Sequence, residues 1–284
     1  MRQVFLNDRL VPENQAQISV FDRGFVFADA VYEVTAVLDG RLIDFRGHLA
    51  RLRRSLGELD LTLPMTDAAL LEAHRAVVAA NAVEQGLVYL QVSRGVSDRD
   101  FRFPDPQTSP TVVLFTQKKT FLDDPLVARG LHVTVHDDLR WQRSDIKTTQ
   151  LLYACMVKSR AARAGADDAW MQRDGLITEA ASANAWIVTA DGVVRTRQLS
   201  REILAGITRE AVLSVAEARG LQVEEGAFSL DDALHAKEAF MTSATGFVSP
   251  VVRIDGAAIG DGRPGPVTMA LRERYLTLMR DTAI

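Results

Sequence analysis

The sequence lacks most of the residues and patterns that mark a secreted, membrane-bound or metal-binding protein. With one cysteine in 284 residues, an internal disulfide and a cysteine-ligated metal site are excluded. The five histidines follow no zinc-protease spacing, so we predict no metal ion. No apolar run approaches the roughly 20 residues that a membrane-spanning helix needs, and the first residues become polar too early for a signal peptide. We therefore expect a cytoplasmic protein with no membrane partner.

An excess of charge of one sign is also lacking. The 33 basic and 37 acidic residues are interspersed and give a formal net charge of −4. Because no basic stripe is present, we expect no nucleic acid partner. Aromatic residues make up only 7% of the chain, whereas 47% of its residues are hydrophobic, which suits a soluble globular protein of one large domain or two modest ones.

The mixture of strand-like and helical segments predicts an α+β fold. Leucines on one helical face predict a helix over 48–60, and Thr66 is a suitable N-cap for a second helix. Lysine, aspartate and proline gather near 118–125, where the strand and helix patterns are interrupted. We predict a small N-terminal domain over residues 1–117, an interdomain linker over 118–125 and a larger domain over 126–284.

Lys147 lies just ahead of an apolar run that predicts a helix over 149–164. A helix N-terminus carries partial positive charge, so a cation there is disfavoured. A partly buried lysine near positive potential loses its proton more easily and becomes an amine nucleophile. Most lysines are solvated surface charges, so this position alone does not decide the role of Lys147. In the same helix, Cys155 follows the apolar rhythm and is expected to be a small core residue.

Two segments of the predicted larger domain offer hydrogen-bond donors for a phosphate. Residues 206–210 open a helix with a glycine, and its first N–H groups and the Thr208 hydroxyl would bind an anion. Residues 242–246 follow a strand with small hydroxyl residues and a glycine, a second set of donors. Each segment also has a structural interpretation, because Thr208 would serve as a helix cap and 242–246 as a turn.

Glu179 would complement these segments if the ligand is an anionic ring cofactor. A carboxylate beside a pyridine nitrogen keeps that nitrogen protonated, which makes the ring an electron sink. The small residues over 180–183 favour close approach of a bulky group. The alternative is that Glu179 is a solvated hairpin residue.

Several ordered motifs resemble those of the fold type IV pyridoxal-phosphate transaminases, most closely the D-amino acid transaminases. The motifs lie at 22–34, 48–52, 145–147, 178–184, 206–209 and 242–245. The resemblance covers nearly the whole chain. It implies a small N-terminal α/β domain, a larger domain with a pseudo-barrel, and a homodimer in which the loop over 96–106 reaches the site of the other subunit.

The resemblance also implies the roles of the cofactor-binding residues. Lys147 matches the Schiff-base lysine that shuttles the substrate Cα proton, and Glu179 matches the carboxylate at the pyridine nitrogen. Arg51 matches the arginine that binds the cofactor phosphate. The remaining matches are an apolar residue packed on the ring face and backbone or hydroxyl donors to the phosphate, namely Leu204, Ile207, Thr208, Ala244 and Thr245.

The substrate pocket departs from the family pattern at one position. Tyr32 and Arg99 match a tyrosine and an arginine that bind the substrate α-carboxylate, but Phe101 stands where the family has a histidine. Arg102 follows directly and either supplies the missing positive charge, since an arginine fork suits a carboxylate, or is a solvated loop residue. The less polar wall at Phe101 could admit (R)-primary amines that lack a carboxylate.

The function implied is transfer of the amino group of D-amino acids such as D-alanine and D-glutamate to 2-oxo acids such as 2-oxoglutarate. Two enzymes of the same fold remain as alternatives, an aminodeoxychorismate lyase and a branched-chain L-amino acid transaminase. A protein that holds pyridoxal phosphate without turnover is the alternative outside enzymology, and the presence of both Lys147 and Glu179 argues against it.

Overall fold

The structure is a computed structural model that describes residues 1–284, and the chain divides into two compact units. The first unit comprises residues 1–120 together with 146–150 and 282–284, and the second comprises 121–145 and 151–281. Lys147 thus belongs to the first unit, although the sequence placed it in the domain over 126–284. The boundaries of independently folding domains stay a prediction. No helix of the chain combines the length and the apolar character needed to cross a membrane.

The first unit is built on an antiparallel sheet with two long helices. Its elements are β1 (Gln3–Leu6), β2 (Arg9–Pro12), α1 (Arg23–Phe27), β3 (Ala30–Leu38), β4 (Arg41–Leu42), α2 (Phe45–Glu58), α3 (Asp67–Ala80), β5 (Gln85–Ser93) and β6 (Thr111–Lys118). The six strands lie in the order β2-β1-β6-β5-β3-β4. Leu52 and Leu56 of α2 are buried in the core of this unit together with Val77 of α3, as their helical spacing predicts. The Thr66 hydroxyl accepts a hydrogen bond from the Ala69 amide and caps α3, as predicted.

The segment over 146–150 is a short irregular stretch that pairs with β3 through an isolated bridge between Val31 and Thr148. The Tyr32 amide donates to the Lys147 carbonyl at 3.0 Å, and the Thr149 amide donates to the Ala30 carbonyl at 3.1 Å. The next helix, α5, begins only at Leu152, so the prediction of a helix from residue 149 was wrong. Pairing with β3 satisfies these backbone groups and overrides the helical pattern of the local sequence.

The second unit contains a nine-stranded mixed sheet. Its elements are α4 (Pro125–Arg129), β7 (Leu131–Asp137), α5 (Leu152–Arg163), β8 (Asp168–Arg173), β9 (Leu176–Ala180), β10 (Asn184–Val188), β11 (Val194–Thr196), α6 (Ile207–Ala218), β12 (Val223–Glu225), α7 (Leu230–Leu234), β13 (Glu238–Ser243), β14 (Phe247–Ile254), β15 (Ala257–Ala258) and α8 (Pro266–Thr282). Eight strands follow the order β12-β11-β10-β13-β14-β7-β8-β9, and β15 pairs with β14. The Ala180 amide donates to the Ala183 carbonyl at the turn that joins β9 to β10. The sheet curls into a half-barrel, which confirms the predicted α+β fold with a pseudo-barrel.

Helix α5 buries a narrower apolar face than its sequence suggests. Ala154, Val157 and Ala161 are buried, whereas Leu152 is 77% exposed. Cys155 is exposed, so the prediction of a core cysteine was wrong. Small residues spaced three and four apart make the buried face, and the larger apolar residues of the run lie outside it.

Candidate active site

Lys147 is held by its backbone, while its amine lies over an aromatic ring. Its amide donates to Ser55 Oγ at 3.3 Å, and its Nζ lies 4.2 Å from the centroid of the Tyr32 ring. Lys147 lies ahead of α5, in the segment that pairs with β3, and not beside the helix N-terminus that the sequence predicted. Tyr32 stacks on Tyr89 with 5.5 Å between ring centroids, and Tyr89 stacks on Phe115 at 4.8 Å, so the amine lies at the end of an aromatic column.

Arg51 is fixed by a buried carboxylate one residue along β3 from Tyr32. Its Nε and Nη2 donate to the two oxygens of Glu33, each at 2.7 Å. His48 Nδ1 lies 2.8 Å from Glu33 Oε2. Burial opposes the ionised form, but Arg51 and His48 lower the pKa of Glu33 to about 2. This bidentate pair fixes the orientation of the guanidinium plane of Arg51.

Glu179 is buried in β9 of the second unit and is bound on both oxygens. Arg140 Nη1 donates to its Oε1 at 2.6 Å, while Asn184 Nδ2 and the Leu204 amide donate to its Oε2 at 3.0 and 3.1 Å. Burial raises the pKa of Glu179 even though Arg140 and the Leu204 amide favour the ionised form. The interpretation of Glu179 as a solvated hairpin residue is therefore wrong.

Asn184 connects Glu179 to the N-terminus of α6. Its Nδ2 also donates to the Leu204 carbonyl at 2.9 Å, two residues before Gly206, the N-cap of α6. A Cβ at Gly206 would lie 2.1 Å from Asn184 Oδ1, so only glycine fits there without displacing the amide. No side chain caps α6, and the first N–H groups of this helix therefore have no intrahelical or side-chain partner. Thr208 is buried in this first turn.

The turn between β13 and β14 is hydrogen-bonded to Arg272 of α8. Asn184 of β10 is paired with Thr242 of β13, so this turn follows directly from the strand beside Asn184. Arg272 Nη1 donates to the carbonyl of Gly246 at 3.0 Å, and Ser243 Oγ accepts from the Gly246 amide at 3.0 Å. Ala244 and Thr245 lie at the half-buried tip of the turn. The hydroxyl of Thr242 accepts from Trp186 Nε1, which makes it a structural group.

The residues present in the second unit fit an anionic pyridine cofactor. A buried carboxylate, an uncapped helix N-terminus and a glycine with no room for a side chain lie along one connected path through Asn184. A helix N-terminus binds phosphate, and a carboxylate pairs with a protonated ring nitrogen. Leu204, Ile207, Thr208, Ala244 and Thr245 all lie on this path or beside it.

The loop residues predicted to bind substrate are not gathered around Tyr32 within the chain. Arg99 lies 5.4 Å from the ring centroid of Phe27 and 5.3 Å from that of Phe101. Phe101 is 80% exposed, and Arg102 pairs with Asp100 at 3.2 Å on the surface.

Sequence reasoning missed three residues that hold the predicted groups. Glu33 and Asn184 lie inside the motifs that carried the resemblance, and their polarity inside predicted strands was the available signal. Arg140 lies in no such motif. Its partner Glu179 is distant in sequence, and nothing in the local pattern predicts the contact.

Comparison with known proteins shows which family the chain belongs to. Residues 30–254 match the family model described as amino-transferase class IV. A D-alanine aminotransferase from Staphylococcus aureus is 35% identical over 275 residues, which cover 97% of each chain. A D-alanine aminotransferase from Bacillus licheniformis is 39% identical over 269 residues, covering 94% of this chain and 93% of the other.

The solved structures that resemble this one include branched-chain amino acid aminotransferases. The T.th. enzyme with pyridoxamine 5′-phosphate superposes with a TM-score of 0.91 at 26% identity and covers 98% of this chain and 94% of that one. The resemblance to fold type IV transaminases is thereby confirmed. The chain belongs to the class IV aminotransferases, which use pyridoxal 5′-phosphate as their cofactor.

Proposed function

We propose that this protein transfers the amino group of D-amino acids, such as D-alanine and D-glutamate, to 2-oxo acids such as 2-oxoglutarate. The observation that carries the proposal is the 35–39% identity to D-alanine aminotransferases over nearly the whole chain. The connected path from Glu179 through Asn184 to Gly206 supports it, because a buried carboxylate and an uncapped helix N-terminus suit the ring nitrogen and the phosphate of an anionic ring cofactor.

The proposed function gives each predicted cofactor-binding residue a role. Lys147 would bind its aldehyde carbon and carry the substrate Cα proton, and Glu179 would accept a hydrogen bond from its ring nitrogen. Arg51, already oriented by Glu33, would bind the phosphate together with the first turn of α6 at Ile207 and Thr208 and with Ala244 and Thr245. Leu204 would pack on the ring. When bound, pyridoxal phosphate supplies an electron sink for the bonds at the substrate Cα.

The substrate carboxylate would be bound by Tyr32 and Arg99. In a homodimer, the two residues at one site would come from different subunits. One subunit would supply Tyr32, and its partner would supply Arg99. We propose that Arg102 takes the place of the missing histidine, because its surface pair with Asp100 is worth little and is easily exchanged. If Arg102→Ala leaves the Michaelis constant for the keto acid unchanged while Arg99→Ala raises it, Arg102 has no such role.

Phe101 would make one wall of the pocket less polar. A substrate without a carboxylate has no charged group to desolvate against an apolar wall. We therefore propose a secondary activity on (R)-primary amines. Phe101→His should lower the rate with (R)-1-phenylethylamine relative to that with D-alanine. An unchanged ratio of the two rates would remove this role.

The test of the main proposal is a parallel spectral titration of the protein loaded with pyridoxal phosphate. D-alanine should bleach the visible band of the bound cofactor, and L-alanine should not. Bleaching by L-leucine would instead favour a branched-chain L-amino acid transaminase, the second candidate, which the T.th. structure supports. Release of pyruvate from aminodeoxychorismate without an amino acceptor would identify the lyase.

A further inference from the structure

Arg140 bridges two carboxylates of the second unit and points one end at Glu179. Its Nε and Nη2 donate to the two oxygens of Asp138 at 2.9 and 2.7 Å, and its Nη1 donates to Glu179 Oε1 at 2.6 Å. Its Nη2 also donates to the carbonyl of Glu202 at 3.2 Å. The guanidinium therefore has a fixed plane, and Glu179 receives its hydrogen bond from a cation that cannot rotate away.

The hydrogen bonds of Glu179 leave one acceptor position. A carboxylate has about four lone-pair positions. Asn184 and the Leu204 amide use both positions on Oε2, and Arg140 uses one on Oε1. The remaining position lies on Oε1, so a ring nitrogen bound to Glu179 would use the same oxygen that Arg140 contacts.

Acidic and basic side chains alternate in the cluster that contains Glu179. Asp138 is ionised, since Arg140 and the hydroxyl of Thr178 hold its pKa below the ordinary value despite its burial. Arg173 lies 3.6 Å from Asp138 and 3.8 Å from the Glu202 carboxylate, and it makes no contact with Glu179. Arg140 is thus the cation in direct contact with Glu179.

A proton shared between Glu179 and a pyridine nitrogen lies on whichever atom has the higher proton affinity. Arg140 Nη1 lies 2.6 Å from Glu179 Oε1. A ring nitrogen bound to the same oxygen would lie farther from the guanidinium than that oxygen does. Coulomb energy falls with distance, so Arg140 lowers the proton affinity of the carboxylate more than that of the nitrogen. Removing Arg140 would move the proton toward the carboxyl oxygen, with the N–H bond broken and an O–H bond formed.

We propose that Arg140 is a positioning residue that orients Glu179 and keeps it ionised, so that the shared proton stays on the cofactor's ring nitrogen. The inference rests on the proposed function, in which Glu179 contacts that nitrogen. Arg140 itself touches neither substrate nor cofactor in this account.

The experiment loads the protein with pyridoxal phosphate that carries ¹⁵N in the ring and records the nitrogen chemical shift, which reports protonation directly. The wild type should show the protonated position, and Glu179→Gln should show the neutral one. Arg140→Gln keeps a hydrogen-bond donor but loses the charge. It should lower the ratio of protonated to neutral nitrogen about tenfold or more, the change that corresponds to one pH unit in relative proton affinity.

Two further variants separate the charge of Arg140 from its bulk. Arg140→Lys restores a cation and should return the signal toward the wild-type position. Arg173→Gln removes a cation of the same cluster that does not touch Glu179, and its signal should match the wild type. If Arg140→Gln does not fold, the experiment uses Arg140→Met, which also removes the charge.

The outcomes test the role of Arg140 and the proposed function separately. If Glu179→Gln moves the signal and Arg140→Gln leaves it in place, the role of Arg140 is overturned and the proposed function stands. If Glu179→Gln leaves the signal in place, Glu179 does not face the nitrogen and the proposed site itself is wrong. A signal that moves equally in Arg140→Gln and Arg173→Gln would show a general effect of the cluster and would overturn the specific role.

Discussion

At the scale of the single residue, the carboxyl group of Glu33 links the orientation of Arg51 to the stability of the first unit. Glu33 is 2% exposed and holds Arg51 and His48 on its two oxygens. Its pKa is lowered to about 2 from the ordinary 4.5. A carboxyl group with a depressed pKa stabilises the fold fully above pH 4.5, and this contribution is lost as the pH falls toward 2.

We expect Glu33→Gln to lower the free energy of unfolding by about 3 kcal/mol at pH 7. The difference from the wild type should shrink as the pH falls from 4.5 toward 2, where about half of the wild-type carboxyl groups are protonated. Urea unfolding at a series of pH values measures it. Glu13→Gln, in an exposed pair with Arg2, is the control and should differ from the wild type by under about 1 kcal/mol. A pH-independent difference for Glu33→Gln would contradict this account.

The stability that depends on His74 is lost as the pH falls, whereas the stability from an ion-paired histidine is lost as the pH rises. Burial lowers the pKa of His74 to about 4, while its Nδ1 is hydrogen-bonded to the Leu70 carbonyl at 2.8 Å. The unfolded chain therefore takes up a proton near pH 6.5 that the folded chain takes up only near pH 4. Stability should be complete above pH 6.5 and fall by about 3 kcal/mol between pH 6.5 and 4.

His74→Gln should remove that slope between pH 6.5 and 4, measured by the same unfolding series. The control is His235→Gln, which changes a histidine whose side chain is exposed and should keep the wild-type slope. The same slope in both variants would show that another group causes the loss of stability in this range.

At the scale of the element, the first turn of α6 depends on the absence of a side chain at Gly206. A Cβ there would displace Asn184, which holds both Glu179 and the Leu204 carbonyl. We expect Gly206→Ala to weaken binding of pyridoxal phosphate to the apoprotein about tenfold, since a buried hydrogen bond lost from Glu179 costs about 1–3 kcal/mol. A fluorescence titration measures the dissociation constant.

Gly57→Ala is the matched control for that substitution. Gly57 lies on the exposed face of α2, and a Cβ there meets nothing within 4 Å. It should leave cofactor binding unchanged and raise the free energy of unfolding by up to about 1 kcal/mol, because alanine is the better helix former. Wild-type cofactor affinity in Gly206→Ala would show that Asn184 is dispensable.

The elements differ in how far local sequence determines them. Helix α6 spans Ile207–Ala218 and begins after Gly206, as the sequence predicted, because the signal for its start is local. The helix predicted from residue 149 begins only at Leu152, since β3 supplies hydrogen-bond partners to the segment over 146–150 from more than a hundred residues away. Glu179 was identified from its motif, but Arg140 was not, because an ion pair between distant segments leaves no periodic signal.

At the scale of the whole molecule, the first unit carries an exposed apolar surface. The segment around Phe21 pairs with that around Val96, through the Ser97 amide and the Phe21 carbonyl at 3.3 Å. Phe21, Phe25 and Val96 are 57%, 77% and 50% exposed. A cluster of this kind is typical of an interface between proteins, which agrees with the proposed homodimer.

Phe25→Glu should weaken self-association by placing a charge in that surface, as measured by sedimentation velocity across a range of concentrations. Leu199→Glu, at a position 54% exposed in the second unit, should leave the oligomeric state unchanged. A monomeric wild-type protein at all concentrations would contradict the proposal that loop 96–106 serves a second subunit.

The first unit is assembled from three separate segments of the chain, which has a consequence for its folding during synthesis. Its sheet and helices come from residues 1–120, but it also needs residues 146–150 and 282–284. The Ile284 amide and carbonyl both pair with Leu42, at 3.1 and 2.8 Å. During synthesis, residues 1–120 therefore emerge before the two segments that complete their unit, and the backbone of Leu42 lacks its partner until residue 284 has emerged. Completion of the first unit thus comes after residues 121–145 and 151–281 have been synthesised, and the backbone that carries Lys147 must dock against β3 before Lys147 can take its proposed role.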